Sequence, residues 1–176
     1  MSFLSTKAQL LHKSPIPPKT TREQAIELLQ DHEFLLSCDP HLAKCEPLTP
    51  RTPPTIPSAV QPRVLGETKS YKVTDVIHTL PAGLWDSNVV STYEFAKLET
   101  GLFVRIRSPL SMVMETVWEI KEGEDGSLEI VENVEISCSR LLIGIAKGQC
   151  ESAWEGIHGK MVKRLEGSGG VDLEVA

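Results

Sequence analysis

From position 67 to position 140, apolar and polar residues alternate with a period of two, and turn residues interrupt the alternation at short intervals. A period of two places successive side chains on opposite faces of a strand, so this half of the chain predicts β-sheet. Because the connections are short, neighbouring strands are expected to be antiparallel. The predicted strands are 68–80, 89–98, 102–107, 111–121 and 128–140.

The predicted strand 111–121 alternates most clearly and should have one covered face and one wet face. Its covered face is Met112, Met114, Thr116, Trp118 and Ile120, and its wet face is Val113, Glu115, Val117 and Glu119. In strand 128–140, Glu132 interrupts the apolar series, either at a bulge or as a polar group on the concave side. Arg105 and Arg107 share a face with Phe103. Periodicity alone leaves the interior face undecided for these two arginines and for Glu132.

From Leu142 to Glu166 the apolar period becomes 3.6, which predicts a long amphipathic C-terminal helix. Gly167 is expected to cap it in a left-handed conformation. Glycines inside the helix lower its stability, so either close backbone approach or vacated space should explain them. The apolar stripe is Ala146, Cys150, Ala153, Trp154, Ile157, Met161 and Leu165, and the internal glycines are Gly144, Gly148, Gly156 and Gly159.

The N-terminal part predicts a strand at 8–13 that stops at a run of prolines, followed by short helices. Thr21 and Gln24 have the spacing of a capping box, and the helical segment should end at Asp39-Pro40. Six prolines between 47 and 62 predict an exposed, extended loop. The loop is either a surface excursion or a docking segment with Thr49 and Thr52 as proline-directed phosphorylation sites.

These elements together predict an α+β fold. A curved antiparallel sheet wraps around a long C-terminal helix, and short helices follow the first strand. The predicted boundaries are a single domain at 1–166 and a disordered tail at 167–176 that has little to bury.

Charge and composition exclude several classes of function. The net charge of −6, without a basic run, lacks the positive surface that nucleic acids or anionic membranes require. The chain has neither a signal-peptide core nor an apolar stretch long enough to span a membrane. Its four scattered cysteines are expected to be reduced thiols. We therefore expect a soluble, cytoplasmic protein that binds no nucleic acid.

The order of strand, helical segment, antiparallel strands and terminal helix resembles the START-like, helix-grip superfamily (SRPBCC) over residues 8–166. That superfamily includes polyketide cyclases, lipid-transfer proteins and proteins like plant pollen allergens. Several segments look like a group of small uncharacterised fungal proteins within it. These are LPAGLWDS (80–87), VVSTYEF (89–95), RIRSPLS (105–111), METVWEI (114–120) and GQCESAWEGIHGKM (148–161). The resemblance implies a hydrophobic cavity between sheet and helix and implies no particular chemistry.

Large apolar side chains on the sheet and the last helix are the candidates for lining that cavity. They are Tyr93, Phe95, Met112, Met114, Trp118, Ile136, Trp154, Ile157 and Met161. Cys38, His41 and Cys45 have a spacing that suits a metal but lack an evident fourth ligand, so no metal and no cofactor is predicted. The sequence contains no nucleophile elbow and no glycine-rich phosphate loop.

Three functions remain open. The first is binding or transport of a hydrophobic small molecule such as a lipid, a sterol or a polyketide-like compound. The second is a cofactor-free enzyme, for example a cyclase or dehydratase, in which a carboxylate or histidine moves a proton. An ionisable group in a perturbed environment deep in the cavity would favour the enzyme. The third is an interaction module that binds a protein partner through the loop at 47–62.

Overall fold

The computed structural model describes residues 5–78 and 86–168. Within these ranges seven strands form one antiparallel sheet in the order β1-β7-β6-β5-β4-β3-β2, joined by three α-helices and one 3-10 helix. The bounds are β1 Ser5–Pro15, α1 Arg22–Leu29, α2 His32–Ser37, β2 Leu42–Leu48, β3 Val64–His78, β4 Asp86–Leu98, β5 Gly101–Ser108, β6 Met112–Glu122, β7 Leu128–Ser139 and α3 Ile143–Ser168, with the 3-10 helix at Gln61–Arg63.

The sheet curves around α3, which contacts β1 and β7 most closely, and the predicted α+β fold class is confirmed. The alternation in β6 sets the inner face as expected, because Trp118 and Ile120 are buried in the main core. Met114 packs at the edge of a second core cluster beneath the start of α3. Alternating apolar residues thus determine which side of the sheet receives the helix. Residues 79 and 80, at the end of the predicted strand 68–80, lie outside the described residues.

The short helices begin at side-chain caps. The backbone N–H of Gln24 donates to Thr21 Oγ1 at 3.2 Å, and the backbone N–H of Thr21 donates to Gln24 Oε1 at 2.9 Å. This reciprocal pair confirms the predicted capping box at α1. Asp31 caps α2 by accepting from the backbone N–H of Phe34 at 3.0 Å. The α2 helix ends at Ser37, just before Asp39-Pro40, as expected.

The C-terminal helix departs from its prediction in two respects. It continues to Ser168, so the expected left-handed cap at Gly167 is wrong. Glycine permits such a cap but does not impose one. Its four internal glycines have no neighbouring atoms where a side chain would project, so close backbone approach does not explain them. Of the predicted disordered tail, residues 167 and 168 are helical, and residues 169–176 lie outside the described part of the chain.

One strand, β2, lies partly inside the predicted proline loop. It pairs with β3 in antiparallel register, with Cys45 opposite Val73. Pro47 is tolerated there because β2 is at the edge of the sheet, where a backbone amide is not needed on the outer side. The prolines therefore did not exclude a strand.

Most residues of the predicted loop are exposed, but its last part lies against the convex face of the sheet. Val60 is buried and packs with Leu98 and Phe103, and Ile56 lies against the same cluster. Apolar residues on this face are shielded from water because the loop packs against them. Thr49 and Thr52 are exposed. A docking role for this exposed part of the loop stays a prediction.

Charged side chains on the convex face are paired beneath this loop. Arg105 contacts Glu94 at 3.2 Å and Glu115 at 2.7 Å, and it donates to the carbonyl oxygen of Thr55 at 2.5 Å. Arg107 also contacts Glu94, at 3.2 Å. Both arginines therefore lie outside the concave interior.

Glu119, on the same convex face, is 8% exposed, and the expected wet environment is wrong for it. Arg63, the last residue of the 3-10 helix, and Lys121 bind its carboxylate. Alternation identifies the face of a side chain but not what covers that face. Within the described residues, no helix combines the length and apolar character needed to cross a membrane.

Candidate functional site

A cavity of about 190 Å³ lies between the concave face of the sheet and α3. A second cavity of about 130 Å³ adjoins it towards α2, and the two share Tyr93, Met114 and Ile157 among their lining side chains. Each is far larger than the space that one water molecule requires. The fold thus leaves an interior in which a small molecule can be enclosed.

The cavity walls come from both periodic patterns. Residues at helical spacing on α3, including Cys150, Ala153 and Trp154, form one wall. Alternate residues of β4 to β7 form the other, with Ile106 of β5 and Ile136 of β7 among them. Both walls are mainly apolar, as small-molecule sites usually are.

Eight of the nine predicted lining residues lie at one of these cavities. Tyr93, Met114 and Ile157 line both. Met112, Ile136 and Trp154 line the larger cavity, and Phe95 and Trp118 line the smaller one. Met161 lines neither; it is fully buried in the core that also contains Leu165. Contact between these residues and a ligand stays a prediction.

Asp75 of β3 projects into the larger cavity and is 8% exposed. The hydroxyl of Tyr93 donates to Asp75 Oδ2 at 3.5 Å, while Oδ1 is buried without a hydrogen-bond partner among the described residues. Burial and the nearby charge of Asp39 raise the pKa of Asp75 to about 6, against smaller opposing effects of Tyr93 and His41. An incompletely satisfied carboxyl group therefore faces the cavity.

A second polar group lies on the opposite wall, where β1 meets β7. Glu132 Oε2 is 2.7 Å from His12 Nδ1 and 3.4 Å from His158 Nε2. His158 Nδ1 is in turn 2.8 Å from the hydroxyl of Ser14. Glu132 thus belongs to the concave side, the second of its two sequence interpretations. It and His12 both line the larger cavity.

Aromatic packing fixes the orientation of His12. Its ring lies parallel to the Trp154 indole, with centroids 4.8 Å apart and an angle of 2° between the planes. Trp154 also meets His158 edge to face, at 5.2 Å. The aromatic rings of α3 thus pack against the imidazole that contacts Glu132 at the cavity wall.

Sequence reasoning missed His12 and Ser14 and did not single out Asp75 as a cavity residue. The available signal was alternation, since Leu10, His12 and Ser14 fall on one face of β1. The pairing of His12 with Glu132 depends on the register of β1 against β7, which joins residues 120 positions apart. Local periodicity carries no information about such a register.

The remaining candidates from the sequence are the four cysteines and the residues with a spacing that suits a metal. Cys38 is buried in the main core, and Cys45 lies part-buried on β2. No group of three histidine, cysteine or acidic side chains in the described ranges converges as a metal site would. All four cysteines are free thiols. Burial raises the pKa of the Cys150 thiol at the cavity to about 11.

Comparison with solved structures identifies the helix-grip fold. TTHA0849 from Thermus thermophilus is 15% identical, with a TM-score of 0.57 over 93% of this chain and 99% of that protein. Ara h 8.0201 is 13% identical, with a TM-score of 0.53 over 90% and 99%. The di-domain ARO/CYC StfQ from the steffimycin biosynthetic pathway is 10% identical, with a TM-score of 0.56 over 94% of this chain and 53% of StfQ.

The chain also matches a family by sequence. A family model described as a domain of unknown function, DUF7053, matches residues 5–167. A search of curated proteins finds no match. The resemblance to the fungal group stays a prediction.

Proposed function

The chain belongs to the DUF7053 family, and we propose that it binds or transports a hydrophobic small molecule in the cavity between the sheet and α3. The apolar cavity between these two layers is the observation that carries the proposal. The ligand is a lipid, a sterol or a polyketide-like compound. StfQ, which shares the fold, is an ARO/CYC protein of a biosynthetic pathway, and this supports a small-molecule role.

The proposed location is the cytoplasm. Four free thiols support it, because a reducing compartment keeps cysteines unpaired. The proposal includes no nucleic-acid partner.

A cavity-filling substitution tests binding. Ala153 lines the cavity from α3, whereas its neighbour Ser152 is exposed on the same helix. Ala153→Phe should reduce binding of the neutral fluorescent probe Nile red at least tenfold, because the added ring occupies the ligand space. Ser152→Phe adds the same ring outside the cavity and should leave binding unchanged.

Native mass spectrometry of the purified wild-type protein complements the titration. We expect a small apolar molecule to be retained, or Nile red or a fluorescent sterol to be taken up. A wild-type protein that retains no molecule and takes up neither probe would contradict the proposal.

The pair of His12 and Glu132 favours a second candidate, a cofactor-free cyclase or dehydratase. Their nitrogen and oxygen are 2.7 Å apart at the cavity wall, where a carboxylate can accept a proton from a bound molecule. The raised pKa of Asp75 meets the criterion of a perturbed ionisable group inside the cavity.

Glu132→Gln separates the two candidates. It keeps the shape of the side chain but removes the base. If the protein is an enzyme, a polyketide-like substrate that loses water with wild-type protein should remain unchanged with this variant, although it still binds. If the protein is a carrier, neither form should change the compound, as mass spectrometry would show.

A further inference from the structure

The charged groups of the cavity have one sign. Asp39, Asp75 and Glu132 contribute carboxyl groups to the larger cavity, and the two cavities have no lysine or arginine among their described lining residues. The whole chain contains 18 lysines and arginines, so their absence from these walls reflects placement and not composition. The imidazoles of His12 and His41 also line this space, but neither is a permanent cation.

Asp75 is the carboxyl group whose partners are incomplete. Its Oδ1 atom is buried and unpartnered among the described residues, and Oδ2 receives one long hydrogen bond of 3.5 Å from Tyr93. Glu132, in contrast, already contacts His12 at 2.7 Å and His158 at 3.4 Å. A buried acceptor without a donor is unfavourable, so a ligand that supplies a donor at Asp75 gains affinity there.

On the convex face of the same sheet, buried carboxylates are paired with cationic side chains. Glu94 contacts both Arg105 and Arg107 at 3.2 Å, and Glu119 is bound by Arg63 and Lys121. Among the described residues, no such cation faces Asp75 from the walls of the cavity. The cationic partner is therefore missing on the side of the sheet where a ligand would lie.

We propose that the cavity selects small amphiphiles with a protonated amine, which pairs with Asp75 while the apolar part lies against Met114 and Ile157. This inference rests on the proposed function and adds the chemical class of the ligand. An amine group supplies both the donor and the positive charge that Asp75 lacks, and such charge-assisted hydrogen bonds are stronger than neutral ones. A carboxylate ligand would meet three acidic side chains and is disfavoured.

Three probes with one alkyl chain test the selectivity: decylamine, decanol and decanoate. Binding is measured by calorimetry at pH 7.5 and by displacement of Nile red, a neutral dye. We expect decylamine to bind at least tenfold more tightly than decanoate, with decanol between them. Asp75→Asn should weaken decylamine at least tenfold and change decanol by less than threefold.

Glu99→Gln is the matched control, because it also removes one negative charge but lies exposed in the turn between β4 and β5. It should leave all three affinities unchanged. The wild-type ranking needs no variant, so it remains informative if Asp75→Asn folds poorly.

The outcomes distinguish this inference from the proposed function. Decanoate binding as tightly as decylamine, or an amine preference that survives Asp75→Asn, would overturn the selectivity while binding itself stands. Entry of Nile red without binding of any of the three probes would also overturn it. Exclusion of Nile red and all three probes would contradict the proposed function and the selectivity together.

Discussion

Replacing Asp75 by asparagine should stabilise the ligand-free protein at neutral pH. The folded environment raises the pKa of this carboxyl group from 3.8 to about 6, mainly through burial. The folded protein therefore holds the proton more tightly than the unfolded chain, and stability falls as pH rises through the window from 3.8 to about 6. Above that window the carboxyl group is charged in both the folded and the unfolded state, and the buried charge destabilises the folded protein by its full amount.

The magnitude follows from the two pKa values. At about 1.36 kcal/mol for each pH unit, the buried charge costs about 3 kcal/mol as an upper value. Local relaxation lowers it, so we expect Asp75→Asn to raise the free energy of unfolding by about 1–3 kcal/mol at about pH 7.5. This gain should fall to about one third at about pH 4.5, where most folded wild-type molecules carry a neutral carboxyl group at this position.

Urea denaturation followed by circular dichroism measures the difference. For a domain of this size the midpoint should rise by roughly 1 M urea at about pH 7.5. Glu99→Gln, the exposed control, should shift the free energy of unfolding by less than about 0.5 kcal/mol. An Asp75→Asn protein that is less stable than wild type at this pH, or a gain that is equal at both pH values, would refute the reasoning.

Three further changes test other parts of the structure. Gly101→Ala should lower the free energy of unfolding by at least about 2 kcal/mol, because the added Cβ would overlap the carbonyl oxygen of Trp118. Gly156→Ala, in the open part of α3, should instead raise the free energy of unfolding by up to about 1 kcal/mol. Urea denaturation measures both, and similar effects would contradict the close contact of β5 with β6. Val60→Ala should lower the free energy of unfolding by about 1–3 kcal/mol, and an equal loss from Val90→Ala, at a 45% exposed residue, would argue against the packing of the loop. Because its pKa is about 11, the Cys150 thiol should react with iodoacetamide about 100-fold more slowly than free cysteine at about pH 8. Peptide mass spectrometry measures this rate. A rate like that of free cysteine would indicate an ionised, accessible thiol.

Local patterns predicted the elements that local physics determines. The capping box at Thr21 needs contacts only three residues apart, and the faces of β6 and α3 follow from the periods of a strand and a helix. The strand β2 escaped prediction because its pairing with β3 is long-range and the neighbouring prolines suggest a loop. The alternation placed Glu119 on the correct face, but Arg63, which binds its carboxylate, lies 56 positions away in the sequence.

The candidate site divides in the same way. Apolar lining residues such as Met114 and Ile157 were predicted because they follow the periodic patterns. The polar residues interrupt those patterns, and their partners are set by strand register. Glu132 was visible as an interruption, but its contact with His12 was not. Met161 satisfies the helical period and still lies outside the cavity, since periodicity cannot distinguish a packed core from a cavity wall.

The stability and binding measurements on Asp75 are most informative when they are interpreted together. Replacing a residue that only stabilises the fold should lower the stability of the protein. A residue that is retained for ligand binding can instead lower the stability of the ligand-free protein, so that its replacement raises it. If Asp75→Asn both stabilises the free protein and weakens decylamine, the carboxylate is held in an unfavourable setting that the ligand relieves. A loss of stability together with unchanged binding would instead assign Asp75 to the fold. The paired measurements thus separate a binding role from a structural one without knowledge of the natural ligand.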